Sequence, residues 1–330
     1  MTRDSQSLGE FELIDRYFAR STVAADKRPD VILGVGDDAA LLRLPANTDL
    51  VAAVDTLVAG RHFPLDSDPR SIGHRALAVN LSDIAAMGAT PAWATLALTM
   101  PCADASWLEG FSAGLWQLAD AHGVALVGGD TTAGPLTISI QILGVVDRGS
   151  ALRRSGAQAG DILAVTGTLG DAGAGLALLT ARLTTHDRAV ADELIQRFEY
   201  PTPRVSFGTS ARGIASAAMD LSDGLVGDLP KLAAASGVAA HVDVARLPLS
   251  RAMRALVPAS QAREFALAAG DDYELLVAVP PRRLDDLAAA ARQLNLTFTP
   301  IGELRPGNGV TWAFDGRPYA APAHGYDHFR

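Results

Sequence analysis

A chain of 330 residues exceeds the usual size of one hydrophobic core, and its 48% hydrophobic residues are enough for two. With 37 acidic against 28 basic residues and a formal charge of −9, it is not a sequence built to bind nucleic acid or an anionic membrane surface unaided, although bound divalent cations would let it accept phosphates. The single cysteine, Cys102, excludes an internal disulfide and a multi-thiolate zinc site. The stretch MTRDSQSLGEFELIDRYFAR has no apolar signal core, and no apolar run reaches the roughly 18 residues that cross a bilayer, so a cytoplasmic protein is expected.

Helix and strand patterns alternate along the chain. Residues 9–19 have helical spacing, 31–44 read as two short strands around the turn GVGDDA, and 50–58 read as a strand. A helix is expected over 69–89, with Pro69 at its start, Gly88 at its end, and Ile72, Ala76, Leu77, Leu81, Ile84 and Ala85 on one stripe. The strand WATLALTM, a helix over 106–121 and the strands VALVGG and LTISIQILGVV complete a first unit near residue 147. The polar, Gly-rich DRGSALRRSGAQAGD reads as a crossing between domains. Beyond it, DILAVTG leads through TLGDAGAG into a helix, helices continue to about residue 215, and AAMDLSDGLVGDL reads as strand, turn and helix. Strands near 239–244, 273–279, 296–301 and 310–314 finish the chain. The expectation is α/β (α+β), with two mixed-sheet domains over 1–147 and 148–330.

Aspartates recur where apolar elements meet small-residue turns: Asp37 and Asp38 in GVGDDA, Asp55 in AVDTLV, Asp83 in NLSDIAAMG, Asp130 in VGGDTT, and Asp220 and Asp223 in MDLSDG. Each singly reads as a turn or cap residue. Asp55 inside an apolar strand and Asp83 between Leu81 and Ile84 on a helix fit neither role. Carboxylates among apolar neighbours need a counter-charge. The chain has only Lys27 and Lys231, so lysine is not expected to supply it, and a cluster of divalent cations is. All-oxygen ligands point to Mg²⁺ and thus to phosphate chemistry. No GxxxxGK[ST] is present and no GxGxxG follows a strand, so a nucleotide would need a cradle of another kind. TGTLGDAGAG reads equally as a phosphate cradle or a plain strand-to-helix turn. His324 and His328 read as a solvated tail, His74 as a helix-face residue, and Trp93, Trp107 and Trp116 as core or dimer packing.

Taken together, GVGDDAALL, VDTLVAGRHF, ALAVNLSDIAAMGATPAWATLALTMP, VGGDTT, MDLSDGL, GDDYELL and the closing GYDHF resemble the thiamine-monophosphate kinase family. That family belongs to the superfamily that includes aminoimidazole ribonucleotide synthetase and selenophosphate synthetase. The resemblance covers nearly the whole chain in order. It implies the aminoimidazole ribonucleotide synthetase-like fold and a homodimer whose N-terminal sheets pair, with ATP and thiamine monophosphate meeting between the two domains. The implied activity is transfer of the γ-phosphoryl of ATP to thiamine monophosphate, giving thiamine diphosphate and ADP with several Mg²⁺ ions. By motif, Asp38, Asp55, Asp83, Asp130, Asp220 and Asp223 would hold the ions. Gly129, Asp130, Arg154 and Ser222 would contact ATP, with Arg153 a competitor for the Arg154 role, and His62, Asp271 and Tyr326 would contact the thiamine substrate.

The acceptor, a phosphate monoester with its second pKa near ~6, is already anionic at neutral pH, so no catalytic base is expected. Three features depart from the family pattern: Ala53 and Val54 where hydroxyl residues occur, Asp271 where Glu is common, and Tyr326 where Trp is frequent. The alternatives are another ATP-using member of the superfamily with a different acceptor, and a non-catalytic nucleotide sensor.

Overall fold

The computed structural model describes residues 9–19, 28–326 and 328. The stretch 1–8, Lys27, Asp327 and Phe329, all cited above, lie outside the described residues. The chain forms two compact units, Met1–Leu81 with Pro91–Asp147, and Ser82–Thr90 with Arg148–Arg330.

In the first unit, helix α1 (Glu10–Leu13) runs into a π-helical turn, Ile14–Phe18, and β1 (Val31–Leu33) pairs antiparallel with β2 (Leu41–Leu42) around the expected turn. Then come β3 (Thr48–Val58), α2 (Pro69–Ala86), β4 (Thr90–Met100), α3 (Ala105–His122), β5 (Ala125–Ala133) and β6 (Thr137–Asp147). Their four-stranded sheet has the order β3-β6-β4-β5, with β3 antiparallel to β6 and β4 parallel to β5. The sheet is therefore mixed.

Sequence chemistry fixes the ends of α3. The Asp104 carboxylate accepts from the N–H groups of Ser106 and Trp107, and Gly123 closes the helix in a left-handed conformation. Trp93 and Trp116 are buried, and Trp107 stacks on Phe111 with ring centroids 5.0 Å apart. Where α2 and α3 cross, backbone meets backbone. A Cβ at Gly73 would lie 2.0 Å from the Phe111 carbonyl oxygen, and one at Gly114 would lie 1.9 Å from that of Arg70.

The second unit holds β7 (Ile162–Thr166), α4 (Asp171–Leu179), α5 (Arg188–Glu199), α6 (Val205–Ala211), β8 (Ala217–Asp220), α7 (Leu225–Ser236), β9 (Ala239–Asp243), α8 (Arg251–Leu256), α9 (Ala259–Ala268), β10 (Leu275–Val279), α10 (Leu284–Gln293), β11 (Phe298–Arg305), β12 (Val310–Phe314) and β13 (Arg317–Pro318). Its seven-stranded sheet has the order β13-β12-β9-β11-β7-β10-β8, antiparallel except where β12 pairs with β9. All five residues of β10 are fully buried, which is why LLVAV reads as an unbroken apolar run instead of an alternation.

One expected element changes at its start. The strand expected from Tyr273 begins at Leu275, because Asp271 and Tyr273 have φ of 61° and 50°, which no strand accepts. Helices α8, α9 and α10 occupy stretches for which no helix was anticipated.

Replacing Gly114 by Ala is expected to force α2 and α3 apart and to cost about 2 kcal/mol or more in a chemical denaturation series. Gly110→Ala, whose Cβ would come no nearer than 3.1 Å to any atom, the nearest being the Pro69 Cβ, should cost clearly less.

Candidate functional site

A cavity of about 990 Å³ in the first unit is lined by the π-helical turn (Ile14, Asp15, Phe18), by 35–40, by Thr95 and Leu96, and by 126–131. It brings together Asp37, Asp38, Gly129 and Asp130. Asp37 accepts a hydrogen bond from the Asp38 N–H at 2.8 Å, so one carboxylate of the pair is tied into its own turn. Asp38 and Asp130 are exposed. Gly129 has a φ of 152°, and a Cβ there would stand 1.9 Å from the Leu96 carbonyl oxygen, so the chain needs glycine to pass this point.

Asp55 lies half-buried on β3, where its N–H donates to Asn80 Oδ1 at 3.0 Å. His62 follows the end of β3, and its Nδ1 accepts from the Val58 N–H at 2.9 Å. That bond places the proton of the neutral ring on Nε2.

In the second unit, three motifs far apart in sequence are sewn together by backbone. The Asp271 N–H donates to the Ser222 carbonyl at 2.8 Å, the Tyr273 N–H to that of Leu221 at 2.9 Å, and the Tyr326 N–H to that of Asp223 at 3.0 Å. Gly325 allows the last contact, since a Cβ there would lie 2.0 Å from the Asp223 carbonyl oxygen. Asp220 is buried and accepts from Ser82 Oγ at 2.9 Å. Ser82 neighbours the half-buried Asp83 near the end of α2. Arg153 and Arg154 are both exposed. His324 and His328 are exposed as well, and the His328 ring packs edge-on against Tyr326.

Behind these motifs stands a set of buried charges that the sequence patterns did not single out. Asp228 accepts from the N–H groups of Ser222 and Asp223 at 3.0 and 2.9 Å, and so shapes the SDG turn. Burial pushes its carboxyl above the usual range, and the adjacent Lys231 only partly offsets this. Asp272 accepts the Gly170 N–H with both oxygens, at 2.9 and 2.8 Å, and burial raises its carboxyl well above the ordinary carboxylate value. Glu274, fully buried, accepts from Thr166 Oγ1 at 2.7 Å, Arg197 Nη2 at 2.7 Å, and Arg204 through Nε at 2.6 Å and through Nη2. Burial alone would raise its pKa, but the Arg204 and Arg197 guanidiniums outweigh burial and hold it below its ordinary value. The sequence shows acidic residues of GDDYEL running into an apolar strand, and Asp228 and Lys231 three apart on α7, but not the distant partners that Asp272 and Glu274 take.

The chain is similar to known proteins over nearly its full length. Residues 36–146 match the AIR synthase related protein N-terminal domain, and 158–313 the C-terminal domain. A thiamine-monophosphate kinase of Salmonella typhimurium (strain LT2) is 50% identical over 97% of this chain and 98% of its own, and one of Bacillus subtilis is 35% identical over 98% and 100%. The crystal structure of thiamine-monophosphate kinase from Stenotrophomonas maltophilia is 48% identical and covers 95% of this chain and 98% of its own, with a TM-score of 0.86. A second solved structure, AaThiL complexed with AMPPCP and TMP, is 33% identical and covers 98% of this chain and 97% of its own, with a TM-score of 0.76.

The chain belongs to the thiamine-monophosphate kinase family.

One reading of the sequence needs correction, and one open pair of alternatives is decided. Lysine does supply counter-charge: Lys231 Nζ lies 2.7 Å from Asp223 Oδ2 and 2.9 Å from Asp228 Oδ1, since one turn of α7 carries it back over the SDG turn. Of the two readings of TGTLGDAGAG, the structure supports the plain turn, because the Gly170 N–H at the start of α4 is taken by Asp272 and the surrounding backbone is buried.

A thiamine-monophosphate kinase would bind Mg²⁺ with its nucleotide, and the donors present fit that ion. Among the described residues, no three His, Cys, Asp or Glu side chains gather to hold a metal by themselves. The cavity of the first unit offers carboxylates but neither histidine nor cysteine. That suits a hard ion that takes one or two carboxylates and completes its shell with water and phosphate oxygens.

Glu274→Gln is expected to lower stability by about 3 kcal/mol at neutral pH, because it breaks a fully buried ion pair. The ionised Glu274, its pKa held below the ordinary 4.5, contributes stability that is complete above that value and is lost as pH falls through the lowered one. Denaturation midpoints of wild type and variant should therefore converge under acid. A pH-independent gap would show that Glu274 is not ionised.

Proposed function

We propose that the protein phosphorylates thiamine monophosphate from ATP, giving thiamine diphosphate and ADP. The observation that carries this reading is the joining of MDLSDG, GDDYEL and GYDHF through backbone hydrogen bonds in a chain 50% identical to a thiamine-monophosphate kinase. The relative complexed with AMPPCP and TMP supports it.

On this reading the domain over 1–147 binds nucleotide and metal and dimerises, and the domain over 148–330 contributes the remaining residues. Asp38, Asp55, Asp83, Asp130, Asp220 and Asp223 would hold Mg²⁺. Held by these carboxylates, such ions would supply neutralisation of the phosphate charge. Gly129 lets the β5 backbone approach the nucleotide, with Asp130, Ser222 and Arg154 as further contacts. His62, through Nε2–H, and Asp271 hold the thiamine substrate, and Tyr326 offers a ring to its cationic thiazolium. Asp223 has two suitors, since Lys231 must share or release it when an ion binds. The acceptor phosphate is anionic at neutral pH, so the residues need only orient two polyanions in line, with no proton to remove.

A homodimer is supported by apolar residues left exposed on β3. Leu50 and Val54 are 47% and 63% exposed there, and Leu50 and Ala52 stand opposite Val145 and Leu143. Such an apolar stripe fits a second sheet of the same kind. Among the described residues no helix is long and apolar enough to cross a membrane, and a cytoplasmic location is part of the proposal.

The test is ATP consumption with Mg²⁺ and thiamine monophosphate, thiamine or no acceptor, with products identified by mass. Equal amounts of ADP and thiamine diphosphate, formed only from the monophosphate, are expected. Equal ATP turnover with no acceptor, or with other acceptors alone, would contradict the proposal. Asp55→Asn and Asp130→Asn should each cut kcat at least about a hundredfold in a folded protein, by loss of charge stabilisation.

A further inference from the structure

Three of four consecutive residues in GDDY hold left-handed backbone: Gly270 at 73°, Asp271 at 61° and Tyr273 at 50°. For the two with side chains this is an unfavourable conformation that persists only where the surroundings impose it. The surroundings here are specific. Of the side chains of 271–274 only Asp271 is half-buried, while Asp272, Tyr273 and Glu274 are buried at 5%, 8% and 0% exposure. Each buried carboxylate grips a different element: Asp272 the Gly170 N–H at the start of α4, and Glu274 the β7 hydroxyl of Thr166 together with Arg197 of α5 and Arg204 just before α6. Thr166 Oγ1 in turn accepts the Leu275 N–H at 2.8 Å, where β10 begins. The Tyr273 hydroxyl lies 3.3 Å from Asp271 Oδ1.

We propose that Asp272 and Glu274 are positioning residues that clamp the left-handed Asp271–Tyr273 backbone and thereby aim the Asp271 carboxylate at the thiamine substrate. The inference rests on the reading above that Asp271 holds that substrate. Neither clamp residue touches the substrate. Each works by fixing a backbone that would otherwise relax toward extended geometry and swing Asp271 away from its aim. Asp272 needs no charge for this, because its task is to accept one backbone N–H, and an amide oxygen at that position serves as well. Glu274 does need its charge, since two guanidiniums converge on it.

The experiment compares dissociation constants for thiamine monophosphate and for ATP with Mg²⁺, each measured by calorimetry without the other substrate, in four variants of the full chain. Asp272→Ala should weaken thiamine monophosphate about tenfold and leave ATP within about twofold, and Asp272→Asn should restore the wild-type value. Equal weakening of both ligands by Asp272→Ala, or no weakening of thiamine monophosphate, would overturn the proposal. Failure of Asp272→Asn to restore binding would overturn it too. Should Asp272→Ala not fold, Arg197→Met leaves Glu274 with Arg204 and Thr166, and is expected to weaken thiamine monophosphate about threefold with ATP unchanged; an unaltered constant overturns the clamp. Asp271→Asn separates the two levels of the argument. If it leaves thiamine monophosphate binding intact, the role of Asp271 fails and the clamp with it. If it weakens binding while Asp272→Ala does not, the clamp alone fails.

Discussion

A carboxylate taken out of water must be met by a cation, by N–H donors or by a proton, and much of this structure is an answer to that constraint. In the second unit the answers are built in. Glu274 receives two guanidiniums and a hydroxyl, Asp272 receives a backbone N–H and is driven toward its neutral form, and Asp223 and Asp228 share Lys231. In the first unit Asp38 and Asp130 remain exposed at one cavity. The two treatments separate carboxylates that hold backbone from carboxylates left facing solvent.

The left-handed residues of GDDYEL show what the built-in answers achieve. Asp271 and Tyr273 each carry a backbone conformation costing on the order of 1 kcal/mol, and the buried charges on either side have enough at stake to hold it. The same segment donates N–H groups to Leu221 and Ser222, so the SDG turn and the GDDYEL turn are fixed as one piece. Asp228 completes the SDG turn from within α7, and Gly325 lets the tail lie against it without a clash.

Much of the fold could be read from residues. The stripe from Ile72 to Ala85 marked α2, the spacing over 106–121 marked α3, and the apolar run within 273–279 marked a strand. The helices α8 and α9 were not legible, because they are short and interrupted by the Val257–Pro258 break. The strand start at 273 was misread because a periodic apolar pattern says nothing about positive φ at non-glycine residues. At the candidate site, the pairing of Asp37 with its own turn agreed with the sequence reading, and the motif resemblance found the family. The π-helical turn was foreseen as plain helix, and its place at the cavity carried no motif. The Asp272–Glu274 network was invisible because its partners Thr166, Gly170, Arg197 and Arg204 lie some 70 to 110 residues away, beyond any local pattern. The place of Lys231 over the SDG turn was hidden for a similar reason, since a count of two lysines says nothing about where one of them stands.

Transfer that depends on positioning and charge neutralisation, with no proton to remove, has a kinetic signature. The measurement is the single-turnover rate of phosphoryl transfer to thiamine monophosphate, at saturating ATP and Mg²⁺, from about pH 5.5 to about pH 9. The rate should rise with ionisation of the acceptor phosphate, near a second pKa of about 6, and stay flat above it. A further limb in that range that disappears when His62 or another titrating side chain is replaced would reveal a general base and contradict this mechanism.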